Sequence, residues 1–249
     1  MDGEVKRYRI SRGNGNAANC REVVASWQKI VEVLSIHRAG NVKEEAGWIC
    51  GGVFRNNYRN GENLLFRSLL TVDIDECSLD LDEIAFELDL MGLSYVAYST
   101  WRSSTDSPRF RIVCPLSRTV NSSEYVNIVK WFSMQHKELN CDPCSFTPAQ
   151  FMYMPSHEYG REREAFVFSG RGGEINVDEI FSRFEFGDSD DGIVDGEFSE
   201  LTTGLRNGHG GGVDATGNDS SDNLNEFELA LAHEPLDITD EEVELYLNA

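Results

Sequence analysis

Leu69-Leu70-Thr71-Val72-Asp73-Ile74-Asp75-Glu76 is the stretch on which the reading of this 249-residue chain turns. An apolar and β-branched run leads into two aspartates separated by one residue. In a β-strand, alternate residues share a face. Asp73 and Asp75 therefore stand side by side, and Val72 and Ile74 lie on the opposite, buried face. Two carboxylates fixed on a rigid strand repel each other at neutral pH and raise each other's pKa. A hard divalent cation, Mg²⁺ or Mn²⁺, relieves that repulsion through its preference for carboxylate oxygens. The competing reading is a strand that ends in an acidic turn, since aspartate is poor inside strands and common at their ends.

Outward from this run, the pattern predicts a strand over 63–75, a helix over 79–91 and strands over 93–100 and 109–116. Leu81, Ile84, Ala85 and Leu88 form one face of the helix, and Gly92 follows as its stop. This βαββ order suits an open sheet with helices on one face, an α+β fold. A second helix is expected from Ser122 to about Leu139. Short strands are expected at 151–154 and 165–168, and a short amphipathic helix at 177–184. Before the central strand, 8–11 reads as a strand, 20–38 as a helix and 48–54 as one strand containing Gly51-Gly52, which together make a small N-terminal αβ subdomain.

Charge is unevenly spread. Residues 1–171 hold 20 Lys+Arg against 22 Asp+Glu, and residues 172–249 hold 2 against 21. The body is nearly neutral and the acidity belongs to the tail, so the overall charge of −21 does not exclude a polyanionic partner. The expected organisation is a folded domain over 1–186, a disordered acidic linker rich in Gly, Asp and Ser over 187–234, and the start of a further helical domain over 235–249. In the last segment Thr239 is the N-cap and Glu242 completes a capping box. The acidic segment reads either as a tether or as a mimic of nucleic acid. No apolar run reaches the length of a membrane span, and the N-terminus lacks the apolar core of a signal peptide; a cytoplasmic protein with free thiols and no membrane partner is expected. Among its six cysteines, Cys141-Asp-Pro-Cys144 forms a lone C-x-x-C, open to redox or metal-binding readings.

Two further groups of residues carry chemistry. In Ser107-Pro-Arg-Phe-Arg-Ile-Val-Cys-Pro-Leu-Ser-Arg118, Arg109 and Arg111 share one strand face. Adjacent guanidiniums make a fork for phosphate oxygens, or else pair with Asp73 or another nearby acid. Asp142, just before Pro143, is the candidate third carboxylate, with a turn residue as the alternative.

The combination of Asp73-Ile-Asp75, Tyr98-Ser-Thr100, the run from Pro108 to Arg118, Asp142-Pro143 and Phe151-Met-Tyr-Met-Pro155 resembles the primase–polymerase domains of the archaeo-eukaryotic primase superfamily, in the form found in phage and plasmid replication proteins. The resemblance spans about residues 20–170. It implies an RRM-like palm with helices packed on it, and template-dependent nucleotidyl transfer in DNA replication by a two-metal site. It also implies Asp73, Asp75 and Asp142 as catalytic metal ligands, and Mg²⁺ or Mn²⁺ as cofactor. Arg102, Ser103, Arg109 and Arg111 are implied as nucleotide-binding residues. A DNA template, nucleoside triphosphates and a replicative helicase domain or subunit are the implied partners. One departure matters: the stretch before Pro108, Trp101-Arg-Ser-Ser-Thr-Asp-Ser107, lacks the family's phosphate-contacting histidine. That departure motivates the alternative of a catalytically weakened nucleic-acid-binding module on the same fold.

Overall fold

A computed structural model describes residues 5–184 and 186. The linker read for 187–234 and the helix read for 235–249 lie outside the described residues. Among those described, the chain forms β1 (Arg7–Gly13), β2 (Arg21–Ser26), α1 (Trp27–Leu34), β3 (Arg38–Gly40), β4 (Trp48–Cys50), β5 (Gly52–Phe54) and β6 (Leu64–Ile74). Then follow α2 (Leu81–Leu90), β7 (Tyr95–Ser99), β8 (Phe110–Val120), α3 (Ser122–Gln135), β9 (Met152–Tyr153), β10 (Ser156–Glu158), β11 (Val167–Gly170) and α4 (Val177–Arg183). The fold is α+β, as the order of elements implied.

The largest sheet is antiparallel and runs β11-β7-β8-β6-β5. Its centre, β6 and β8, carries apolar residues on both faces because both are covered, with Arg67, Ser68, Thr71 and Asp73 of β6 buried among them. Leu70, Val72, Ile74, Phe110 and Ile112 pack against α2, α3 and α4 through Ile84, Leu88, Tyr125, Phe132 and Ile180. On the other face Leu69, Val96, Tyr98 and Val113 meet Tyr8, Ile10, Ile30, Leu34 and Met152. The N-terminal strands and α1 thus share one core with the large sheet. β1, β2 and β4 join β9 in a second sheet of order β2-β1-β4-β9, while β3 and β10 pair in parallel.

Local chemistry explains the boundaries. α2 starts with Asp80 and Glu83 in a capping box, α3 with Asn121 and Glu124 in another. Gly92 closes the first helix at φ +61°, where a side chain would be strained. Two expectations are corrected. The helix read from Cys20 begins only at Trp27: residues 21–26 pair with β1, Val23 opposite Ile10 and Val24 opposite Arg9, and Ser26 caps the helix that follows. β-branched Val23 and Val24 fit a pleated strand as well as a helical face, and the neighbouring strand decides. The single strand read over 48–54 is two strands in different sheets. The change of sheet occurs at Gly51, where a Cβ would lie 2.7 Å from the Leu69 carbonyl oxygen. The same glycine's carbonyl accepts from the Ser68 and Leu69 N–H groups.

Two part-buried histidines make stability depend on pH. Burial lowers the pKa of His37, opposed by its hydrogen bond to the Ser99 carbonyl and reinforced by His157; burial alone lowers that of His136. A folded-state pKa below the ordinary 6.5 means that the unfolded chain takes up protons first. Stability is therefore lost as pH falls below 6.5, until the folded imidazoles also protonate. Thermal melts are expected to show a lower Tm at about pH 5.5 than at about pH 7.5. The difference should shrink in His136→Gln. Asp73, whose pKa is raised, acts with the opposite sign in both proteins, so the comparison isolates the imidazole.

Candidate active site

The antiparallel register puts Asp73 directly opposite Arg111 at the ends of β6 and β8. Their side chains form an ion pair, with Arg111 Nε 3.3 Å from Asp73 Oδ1, and both are largely buried. One residue past the strand, Asp75 lies 3.4 Å from Arg109 Nη1 and is considerably more exposed. Both arginines thus take the ion-pairing alternative left open by their spacing, and both still face the same cleft as the aspartates. The cleft has a volume of about 230 Å³. Asp73 and Asp75 form its acidic side, and Lys43, Arg102, Arg109 and Arg111 supply cations. Thr100, Trp101, Gln150, Phe151 and Tyr153 line it as well.

Each wall is held by identifiable bonds. The Tyr153 carbonyl accepts from Arg111 Nη1 at 3.0 Å and from the Tyr98 hydroxyl at 3.1 Å, which ties β9 across the large sheet. The Arg102 loop is closed at its base, where the Thr100 N–H donates to the Arg109 carbonyl and the Arg109 N–H to Ser103 Oγ. Ser103 is buried in that role and is absent from the cleft lining, whereas exposed Arg102 reaches it. The Asp73 N–H donates to buried Ser145 Oγ, and the Asp73 carbonyl accepts from the Asp142 N–H.

Asp142 caps the short 3₁₀ turn Pro143–Phe146, its Oδ1 accepting from the Cys144 N–H at 2.8 Å. It is not among the cleft-lining residues, although its charge reaches Asp73. Among the described residues, no group of three His, Cys, Asp or Glu side chains stands ready to hold a metal ion. Asp73 and Asp75 are therefore brought together, and Asp142 serves as a cap one turn behind them. Burial raises the pKa of Asp73; Arg111 opposes that shift, while Asp75 and Asp142 reinforce it. Asp73 Oδ1 is buried without a hydrogen-bond partner, the ion pair aside. A buried carboxylate oxygen lacking a donor, next to a second carboxylate at an open cleft, fits a hard divalent cation better than a soft one.

The C-x-x-C carries no sign of thiolate chemistry. All six cysteines are free. Burial pushes Cys141 up to about 12 and raises Cys144 as well, which favours the thiol form of both. His157 pairs through β10 and stacks near His37, with ring centroids 6.4 Å apart, and it does not line the cleft. Sequence reasoning missed Lys43, a lone lysine in a 3₁₀ turn with no periodic signal. Its ammonium sits 5.2 Å from the Tyr153 ring centroid. Phe151 and Tyr153 lay inside a quoted motif without an assigned role.

The described residues contain no helix long and apolar enough to cross a membrane. Residues 14–191 match the VapE N-terminal domain, and the chain belongs to that family. The assignment agrees with the class read from the motifs, a primase–polymerase-type domain of phage and plasmid replication proteins. Among solved structures, the AEP domain of the cyanophage S-2L primase–polymerase is similar at 10% identity and a TM-score of 0.42, over 72% of this chain and 88% of that one. No curated protein matches significantly.

Proposed function

We propose that this domain performs template-dependent nucleotidyl transfer during DNA replication, as a primer-synthesising or DNA-polymerising module. The observation that carries this reading is the meeting of Asp73 and Asp75 with four cationic side chains in one cleft. Asp73 and Asp75 would hold Mg²⁺ or Mn²⁺, which neutralises a triphosphate and lowers the pKa of an attacking hydroxyl when bound. Arg109 and Arg111 hold the two carboxylates in position and present guanidinium N–H groups to phosphate oxygens. Arg102 and Lys43 bring further positive charge from the facing walls, and Arg102 takes the place of the histidine that the related motif carries. Trp101, Phe151 and Tyr153 give the cleft apolar surface on which a base can rest. Asp142 supports the site through the turn it caps and through its charge.

A second reading has its own support. With both aspartates paired to arginines and Asp142 outside the cleft lining, the same surface suits a nucleic-acid-binding replication module without catalysis. One assay separates the two. The full chain is incubated with a primed single-stranded template, labelled NTPs or dNTPs, and Mn²⁺ or Mg²⁺. Metal-dependent extension that vanishes in Asp73→Asn/Asp75→Asn is the expected result. Extension unchanged in that variant rejects the catalytic site. Template binding with no extension by either protein favours the binding module.

A further inference from the structure

Helix α2 carries large apolar side chains on the face turned away from the core. Ile84 and Leu88 of this helix are fully buried against the large sheet. Phe86 lies two residues from each of them, about 200° round the helix, and Leu90 lies two residues beyond Leu88. Both therefore point outward, at 63% and 62% exposure. They stand one turn apart and share that outer face. At its N-terminal end, Leu79, Asp82, Glu83, Phe86 and Glu87 line an open groove of about 410 Å³. A single exposed apolar side chain is ordinary, whereas an apolar groove continued by a second large side chain marks an interaction surface.

Charge decides what fits there. The charged residues of α2 are Asp82, Glu83, Glu87 and Asp89, with no Lys or Arg. Local needs account for three of them. Asp82 and Glu83 sit in the first turn, where the helix dipole favours acids, and Glu83 completes the capping box. Asp89 accepts from the Tyr95 hydroxyl. Glu87 follows Glu83 by one turn, a like-charge pair that weakens a helix, and it lies in the last turn, where the dipole disfavours an acid. Glu87 and the outward Phe86 thus both work against the isolated domain, and both line the groove. Acids around an apolar groove repel a phosphodiester backbone and an anionic membrane surface. They also repel the chain's own acidic tail, in which Arg206 is the only Lys or Arg beyond Arg183. Two copies of α2 face to face would set the same acids against each other.

We infer that the outer face of α2 docks a basic amphipathic segment of another protein. Its Leu- or Phe-type side chains enter the groove beside Phe86 and cover Leu90, and its Lys or Arg side chains meet Asp82 and Glu87. The inference goes beyond the nucleotidyl-transfer reading of the cleft and does not depend on it.

The test uses the full chain and a fluorescein-labelled model peptide of Leu and Lys, with its leucines at i, i+3, i+4 and i+7 so that they share one helical face. Anisotropy titration is expected to show binding by the parent that weakens about tenfold or more in F86S/L90S. D82N/E87Q should weaken it about threefold and flatten its salt dependence. E241Q/E242Q removes as many charges from the acidic tail and should change neither quantity. No binding by the parent, parental affinity in F86S/L90S, or a loss in E241Q/E242Q equal to that in D82N/E87Q overturns the proposal. Equal binding of a Leu/Glu peptide overturns the basic character assigned to the partner. Phe86 and Leu90 are exposed, so F86S/L90S should melt with the parent. Should it melt early, D82N/E87Q carries the test alone, and parental affinity there overturns the proposal. Two other occupants would show themselves in the same variant. A dimer of the parent that F86S/L90S dissociates in sedimentation makes a second copy the occupant. Faster proteolysis within 187–249 in F86S/L90S makes the chain's own tail the occupant. Either result overturns the proposal.

Discussion

Asp73→Asn is expected to lose metal-dependent extension and about 3 kcal/mol of stability, whereas Asp75→Asn loses extension and little else. The two aspartates share a cleft but differ in environment. Asp73 pairs with Arg111 where both side chains are largely out of water, and Arg111 also donates to the Tyr153 carbonyl. Removing one member of a buried pair strands the other charge, which is the costly case. The amide oxygen that replaces the carboxylate still accepts a hydrogen bond, which keeps the loss at the lower end of the range for such pairs. Asp75 and Arg109 are substantially solvated, so their pair contributes at most about 1 kcal/mol. Denaturant melts of the two single variants beside the parent check the contrast. Equal stability losses would mean that the Asp73–Arg111 pair is as well hydrated as its neighbour. Both variants are expected to lose extension by a factor of about 1,000 or more, because each removes charge that holds the metal at the reacting phosphates.

That asymmetry shows what a sequence can and cannot reveal about such a site. The alternation of Val72, Asp73, Ile74 and Asp75 was enough to place apolar side chains on the helix side and carboxylates on the other, because strand periodicity is local. Local spacing also put Arg109 and Arg111 on one face. The register that sets Arg111 opposite Asp73 depends on a separate strand, and so does the burial that distinguishes Asp73 from Asp75. Lys43 reaches the cleft from a turn more than twenty residues upstream, a placement that no periodicity encodes. The split of 48–54 into two sheets follows from the close passage of Leu69 over Gly51, again a contact between distant segments. Val23 and Val24 were compatible with helix and strand alike, and only pairing with β1 resolves them.

Arg67, which carried no signal in the sequence, is expected to matter most for the fold: Arg67→Ala should lose about 3–5 kcal/mol and disorder one wall of the cleft. Its guanidinium is fully buried among neutral hydrogen-bond partners. Nη1 donates to the Pro148 carbonyl at 2.8 Å and, at 3.4 Å, to that of Gln150, while Nη2 donates to Thr71 Oγ1 at 2.7 Å. Nε and Nη2 both reach the Leu69 carbonyl, and the cation lies 4.0 Å from the centre of the Tyr125 ring. The arginine thus ties β6 to the 148–150 segment, which leads directly into Phe151 and Tyr153 of the cleft. Alanine removes these donors, leaves a cavity between α3 and β6, and exposes carbonyls to an interior with no replacement partner. Lysine keeps the charge but cannot span Thr71, Leu69 and Pro148 at once, so Arg67→Lys should recover only part of the loss. Chemical denaturation measures the stability change, and nucleotide affinity at a temperature where the variant is folded measures the effect on the wall. Parental stability in Arg67→Ala would show that water replaces the guanidinium among these carbonyls, and that the wall is held by β9 pairing alone.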